Sequence, residues 1–183
     1  ADVRKSVSIG FKAEGESIIL IGGGAGHLGS SIYLREILGR EDGAPPAVDL
    51  AAERRNGDLV RRLIGDGLVT ACHDLSDGGL LIALAEMAMA SGIGAAVTAS
   101  ARGEVSLHAW LYGEDQARYL LTARKDHAEA VVQAALAAGV PAQLIGRTGG
   151  PALTLAGGGA ISLARLTELN EAWLPAYMGA GLE

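Results

Sequence analysis

Aromatic side chains are scarce in this sequence, at 4% of 183 residues with a single phenylalanine. A core of ordinary density must then be assembled from Ala, Leu, Ile and Val. The one cysteine, Cys72, excludes a disulfide framework and fits a reducing compartment. No apolar run approaches the roughly 20 residues that cross a bilayer. The opening Ala1-Asp2-Val3-Arg4-Lys5 has no apolar signal core after its basic residues. Positive charge is in short supply too: 15 Lys and Arg stand against 21 Asp and Glu, a net charge of −6. That balance excludes a broad basic face for nucleic acid. Nucleotide ligands stay open, because Gly-rich N–H clusters and single Arg or Lys residues suffice for those. None of the four histidines forms a helix-spaced pair, which disfavours a zinc site built from His27, His73, Asp74 and Asp77. Disorder is excluded by 49% hydrophobic residues and a mean hydropathy of +0.27. These absences predict a soluble, cytoplasmic domain with no nucleic acid and no membrane among its partners.

Glycine is plentiful, with 27 residues, and marks many tight turns. Residues 1–16 read as a connector from a preceding domain, and residues 17–183 as one domain. A strand is expected at 17–21, then the loop Gly22-Gly23-Gly24-Ala25-Gly26-His27-Leu28-Gly29 and a short helix from Ser30 to about Leu38. Pro45-Pro46 blocks continuation, and Asp49 caps a helix reaching about Gly65, weakened at Gly57. A strand at 68–72 leads to a buried helix at 80–88, then a strand at 93–99 and a turn at Ala101-Arg102-Gly103. A short helix at 105–111 precedes a turn at 112–116 and a strand at 117–122. Asp126-His127-Ala128-Glu129 resembles a capping box opening a helix to Ala138. Strand-like 143–146 follows, then 153–155 and 161–163 flank Gly157-Gly158-Gly159 as a hairpin. The last helix is expected from about Thr167 to Pro175, with Trp173 and Tyr177 supplying apolar bulk. Two β–α–β passages, 68–99 and 117–146, with the closing hairpin predict an α+β fold with a mixed sheet, partly ferredoxin-like.

The most informative stretch is His73-Asp74-Leu75-Ser76-Asp77-Gly78-Gly79. It places two carboxylates and a hydroxyl at a strand end, on a glycine turn where a helix begins. Free N–H groups at that helix start point to the same spot, and acids beside them suit a magnesium–phosphate ligand. The competing reading is that Ser76 or Asp77 merely caps the helix. Gly24-Ala25-Gly26-His27-Leu28-Gly29 satisfies GxGxxG, with Asp49 twenty residues beyond. A dinucleotide-binding oxidoreductase would need that acid at the end of a second parallel strand, and the approach Pro45-Pro46-Ala47-Val48 is too short and proline-broken. The loop either cradles a phosphate through its N–H groups or is a tight turn that needs glycines. Glu114-Asp115-Gln116 can bind a metal, a ribose hydroxyl or a phosphate-bound water, or be solvated loop charge. Cys72 and His73 point to opposite strand faces and cannot form a nucleophile–base pair. Glu86, the lone charge of an apolar helix, either sits on a polar edge or pairs with a base.

Taken together, 73–80 with Ala83-Leu84-Ala85-Glu86-Met87, Gly92-Ile93-Gly94 and Leu111-Tyr112-Gly113-Glu114-Asp115-Gln116-Ala117-Arg118-Tyr119 resemble one family. It is the large (synthetase) subunit family of phosphoribosylformylglycinamidine synthase, in the register of its last domain, the second of aminoimidazole-ribonucleotide-synthetase C-terminal type. The glycine loop and Trp173-Leu174-Pro175-Ala176-Tyr177-Met178 fit the same register. The resemblance implies a three-layer α/β/α domain and an ATP-dependent carbon–nitrogen ligase of purine biosynthesis. In such an enzyme ATP phosphorylates the amide of formylglycinamide ribonucleotide and glutamine-derived ammonia displaces the phosphate, with Mg²⁺ neutralising the phosphates. It further implies preceding domains of the same polypeptide and glutaminase and small subunits as partners. The catalytic histidine and most ATP and magnesium contacts would lie in those preceding domains. Carried onto this chain, the expected nucleotide or phosphate residues are Gly22, Gly23, Gly24, Gly26, Gly29, Ser30, Ser76, Gly78, Gly79 and Gln116. The expected metal residues are Asp74, Asp77 and Glu114. Two departures stand out: Asp115 takes the place of a serine, and Ser76-Asp77 that of a Gly-Ala pair. No catalytic residue is assigned, and the expectation is a domain inactive alone, acting as an auxiliary nucleotide site or an assembly module.

Overall fold

The computed structural model describes residues 2–98 and 105–179. The sequence-predicted turn at Ala101-Arg102-Gly103 and the strand end at Ala99 lie outside the described residues. Strand β1 (Ser17–Ile21) is apolar after its serine and buried throughout, as a strand covered on both faces must be. Side chains alternate across it. Ile18 and Leu20 enter one core with Phe11, Ala71, Leu120 and Ile145. Ile19 and Ile21 enter a second with Leu121 and Ala123.

Two helices cover the second core. Helix α1 (Ile32–Leu38) buries nothing there, but α2 (Leu50–Gly65) supplies Leu59, Val60 and Leu63. The later helix α5 (Ala128–Ala137) adds Val131 and Ala135. On the opposite face lie α3 (Gly79–Met89), with Leu80, Leu84 and Met87 fully buried, and α4 (Leu107–Tyr112), with Trp110 and Leu111. The three-layer α/β/α arrangement follows directly.

Seven strands complete the sheet: β2 (Ala71–Asp74), β3 (Ala95–Val97), β4 (Tyr119–Ala123), β5 (Ala142–Thr148), β6 (Ala152–Leu155) and β7 (Gly159–Ser162) join β1 in the order β2-β4-β1-β5-β3-β6-β7. Every neighbouring pair is antiparallel except β3 and β6. The quartet β2-β4-β1-β5, with α2 and α5 on one face, is the ferredoxin-like part. In it β4–α5–β5 is split by β1. The hairpin β6–β7 turns at Gly157-Gly158, and α6 (Leu163–Gly179) closes the described chain.

Several expected boundaries move. Strand β2 starts three residues late and runs on through His73 and Asp74, because β4 offers Leu120 and Tyr119 as partners. Asp49 does cap α2, accepting from the amides of Ala51 and Ala52. The capping box at 126–129 does not form. The amides of His127 and Ala128 donate to the Arg124 carbonyl, and Glu129 bonds Gln133 instead. Pro175 does not end α6, since its missing donor falls on an exposed turn. Trp173 and Tyr177 supply the expected apolar bulk near the chain end, 65% and 69% exposed and stacked on each other. No helix among the described residues is long and apolar enough to cross a membrane.

Candidate functional site

Register brings three turns to one end of the sheet. Ile21, the last residue of β1, is opposite Tyr119 at the start of β4, and Tyr119 is opposite Asp74 at the end of β2. The glycine loop 22–29, the turn 74–79 and the turn 113–118 therefore meet, although up to 95 positions of sequence separate them.

The third turn clamps the other two. Glu114, only 9% exposed, turns inward, and its Oε1 accepts hydrogen bonds from the amides of Gly78 (2.7 Å) and Ile32 (2.9 Å). One carboxylate oxygen thus ties the starts of α1 and α3, satisfying donors that helices leave free. Its own amide donates to the His27 carbonyl at 2.9 Å. Asp115 does the same for the glycine loop. Its Oδ1 accepts from Ala25 N–H at 2.9 Å, and its Oδ2 from Gly26 N–H at 3.1 Å and His27 N–H at 3.0 Å. A Cβ on Gly24 would lie 2.7 Å from the Asp115 Cγ, so glycine is required there for the acid to approach.

The turn itself is braced from beneath. Arg118, 4% exposed, donates through Nε to the Asp115 carbonyl at 3.1 Å and through Nη2 to the Gly113 carbonyl. Burial pushes its guanidinium below the ordinary arginine value, and the Asp115 charge opposes that shift. Ala117 sits in the left-handed region at φ 59. Its amide donates to Glu53 and its carbonyl accepts from Asn56, both on α2.

Each expected site residue can now be placed. The Gly22 amide donates to the Pro141 carbonyl, the Ser30 hydroxyl to the Gly43 carbonyl, and Gln116 Nε2 to the Glu114 carbonyl. Gly78, with φ 76°, is the N-cap of α3, and the side chain that meets it is that of Glu114, so neither Ser76 nor Asp77 has the capping role. The Gly79 amide donates to the Ser76 carbonyl. Gly23 and Gly24 separate two hollows, one of about 160 Å³ over Arg118 and Trp110 and one of about 380 Å³ against α2. Gly29 is pressed against the Ala44 carbonyl.

The three proposed metal ligands are not drawn into one cage. The Asp74 side chain is 68% exposed and lies 3.3 Å from His73 Nδ1, whose Nε2 pairs with Glu86 at 2.9 Å. Asp77 lies on the exposed turn, while Glu114 faces inward. Among the described residues no three His, Cys, Asp or Glu side chains gather where they could hold a metal ion. Magnesium needs converging oxygens in near-octahedral geometry, and the residues present do not fit a resident ion. Glu86 is settled as the partner of His73. Cys72 is a half-buried thiol packed against the second core, pushed up to about 11 by burial and then by the Asp74 charge. Sequence reasoning missed Arg118 and Glu53, whose only signals are a cation opening an apolar strand and an acid in the first turn of α2.

A mixed sheet with a ferredoxin-like half, helices on both faces and three interlocked turns at one end defines the synthetase-type C-terminal domain class. The sequence profile of the AIR synthase related protein, C-terminal domain, matches residues 13–155, and the chain belongs to that family. It is 59% identical over 179 residues to the phosphoribosylformylglycinamidine synthase subunit PurL of Parvibaculum lavamentivorans, covering 97% of this chain and 24% of the relative. The chain thus spans about a quarter of the length of the curated relatives it matches. Thermotoga maritima PurL complexed with FGAR superposes with a TM-score of 0.77 at 19% identity, over 90% of this chain and 30% of that one. The same protein complexed with ATP gives 0.73 at 18%, over 91% and 28%. PurLQS from that organism gives 0.70 at 18%, over 89% and 28%. At these identities the structures establish the fold.

Proposed function

We propose that this chain is the C-terminal synthetase-type domain of a phosphoribosylformylglycinamidine synthase large subunit, a cytoplasmic ligase of purine biosynthesis. Residues 1–16 serve as the connector and 17–183 as the domain. The observation that carries the reading is 59% identity to PurL across nearly the whole chain. ATP, Mg²⁺, formylglycinamide ribonucleotide and glutamine-derived ammonia are reactants of the whole enzyme. Preceding domains of the polypeptide and the glutaminase and small subunits are its partners. The PurL structures with FGAR and with ATP support those two reactants, and the PurLQS structure supports a larger complex, each by analogy of fold.

Within that enzyme the domain is an assembly half rather than a catalytic one. The glycine loop is the segment from which a phosphate site would be built, yet three of its amides and both acidic side chains of the facing turn are used internally. The dinucleotide reading is disfavoured by the antiparallel neighbours of β1 and by Asp49 serving as a helix cap. The test is reconstitution. The 183-residue chain alone should release no phosphate from Mg-ATP with formylglycinamide ribonucleotide and ammonia. The preceding part of the subunit, expressed separately, should gain activity at least tenfold when the chain is added. Turnover by the chain alone, or full activity without it, would refute the assignment.

A further inference from the structure

We propose that the amides of Ala25, Gly26 and His27 form an oxyanion site whose resident anion is this chain's own Asp115 carboxylate. Three consecutive N–H groups converging on one acid is the arrangement by which backbone nests hold phosphate and similar anions. All three bonds fall between 2.9 and 3.1 Å, within the range for well-made hydrogen bonds. The room for the acid is specific. An added Cβ at Gly24 would meet the Asp115 side chain at 2.7 Å, and one at Gly113 would meet its Oδ2 at 3.0 Å. Arg118 fixes the acid from behind through the Asp115 backbone carbonyl.

The site also has an entrance. Asp115 lies on the wall of the hollow of about 380 Å³, beside Gly23, Ala25, His27, Arg55 and Gln116. A free oxyanion of phosphate size can reach the amides by that route once the carboxylate is gone. The ligand class is a small oxyanion, either free phosphate or the terminal group of a phosphate ester. In the native chain Asp115 excludes that class and makes the loop's shape independent of any ligand. This rests on the loop and turn geometry alone, so its test and the reconstitution above can fail separately.

The probes are inorganic phosphate and formate on the 183-residue chain and its Asp115→Ala variant. The variant should lose several degrees of melting temperature and recover most of it saturably with either anion. The native chain should shift at least fivefold less over the same concentrations, at constant ionic strength. Equal responses in the two proteins, or a variant as stable as the parent, would overturn the proposal. Titration with phenyl phosphate separates the sources: recovery shows that phosphate esters enter, and recovery with phosphate alone confines the site to free anions. If Asp115→Ala does not fold, Asp115→Asn keeps the size and removes the charge. Amide exchange at Ala25, Gly26 and His27 should then accelerate at least tenfold, and unchanged exchange would refute the assignment.

Discussion

Glu114 and Asp115 are adjacent acids that do two different jobs, and their side-chain length decides which. The longer reaches the starts of α1 and α3, whereas the shorter stops at the glycine loop. Hydrogen bonds to a charged group contribute about 1.5–3 kcal/mol each, and a buried donor left unpaired costs about as much. Glu114→Ala should therefore lower stability by about 2–4 kcal/mol in urea unfolding. Glu114→Gln, which keeps the acceptor oxygen, should cost less than half of that. The sequence made these residues conspicuous as acids on a turn beside a glycine run. It did not show which way their oxygens face, because the amides that donate to them lie 36, 82 and about 90 residues away. An acid that binds outward and an acid that clamps inward look identical in one dimension.

Elements built from local signals were readable, and those decided by partners were not. β1, the cap at Asp49 and the closing hairpin follow from an apolar run, an N-cap side chain and a glycine cluster. The late start of β2 depends on where β4 offers backbone partners, which no local pattern reveals. Likewise the start of α3 is set at Gly78 by the distant Glu114, not by the nearby Ser76 or Asp77. The approach of α3 to the end of α4 is set by Gly79, with φ 66, where an added Cβ would stand 2.5 Å from the Gly113 carbonyl oxygen. Gly79→Ala combines left-handed strain with a backbone clash and should cost at least about 2 kcal/mol. Denaturant midpoints of the variant and parent measure it.

At the scale of the whole molecule, two cores on opposite faces of one sheet use nearly all the large aliphatic residues of the central strands. The far half of α6 stands outside both. Leu169, Trp173, Leu174, Tyr177 and Met178 are each about half exposed or more. Trp173→Ala and Tyr177→Ala should each change the stability of this chain by less than about 0.5 kcal/mol, as surface substitutions do. Thermal melts of the two variants check that expectation, and a loss above 1 kcal/mol would place α6 in a packed interior. The family was legible from the paired motifs at 73–80 and 111–119, because their residues interlock in space.

The central position of β1 has a consequence for synthesis. It is made before either of its neighbours, for Ile19 pairs with Leu121 on one side and Leu144 on the other. Closing such long loops is entropically costly and slows folding. At about 5–20 residues per second of elongation, this apolar segment waits several seconds, unpaired, for strands not yet made. The nascent chain is therefore most exposed to chaperone capture, or to mispairing with a neighbouring copy, before β4 and β5 emerge.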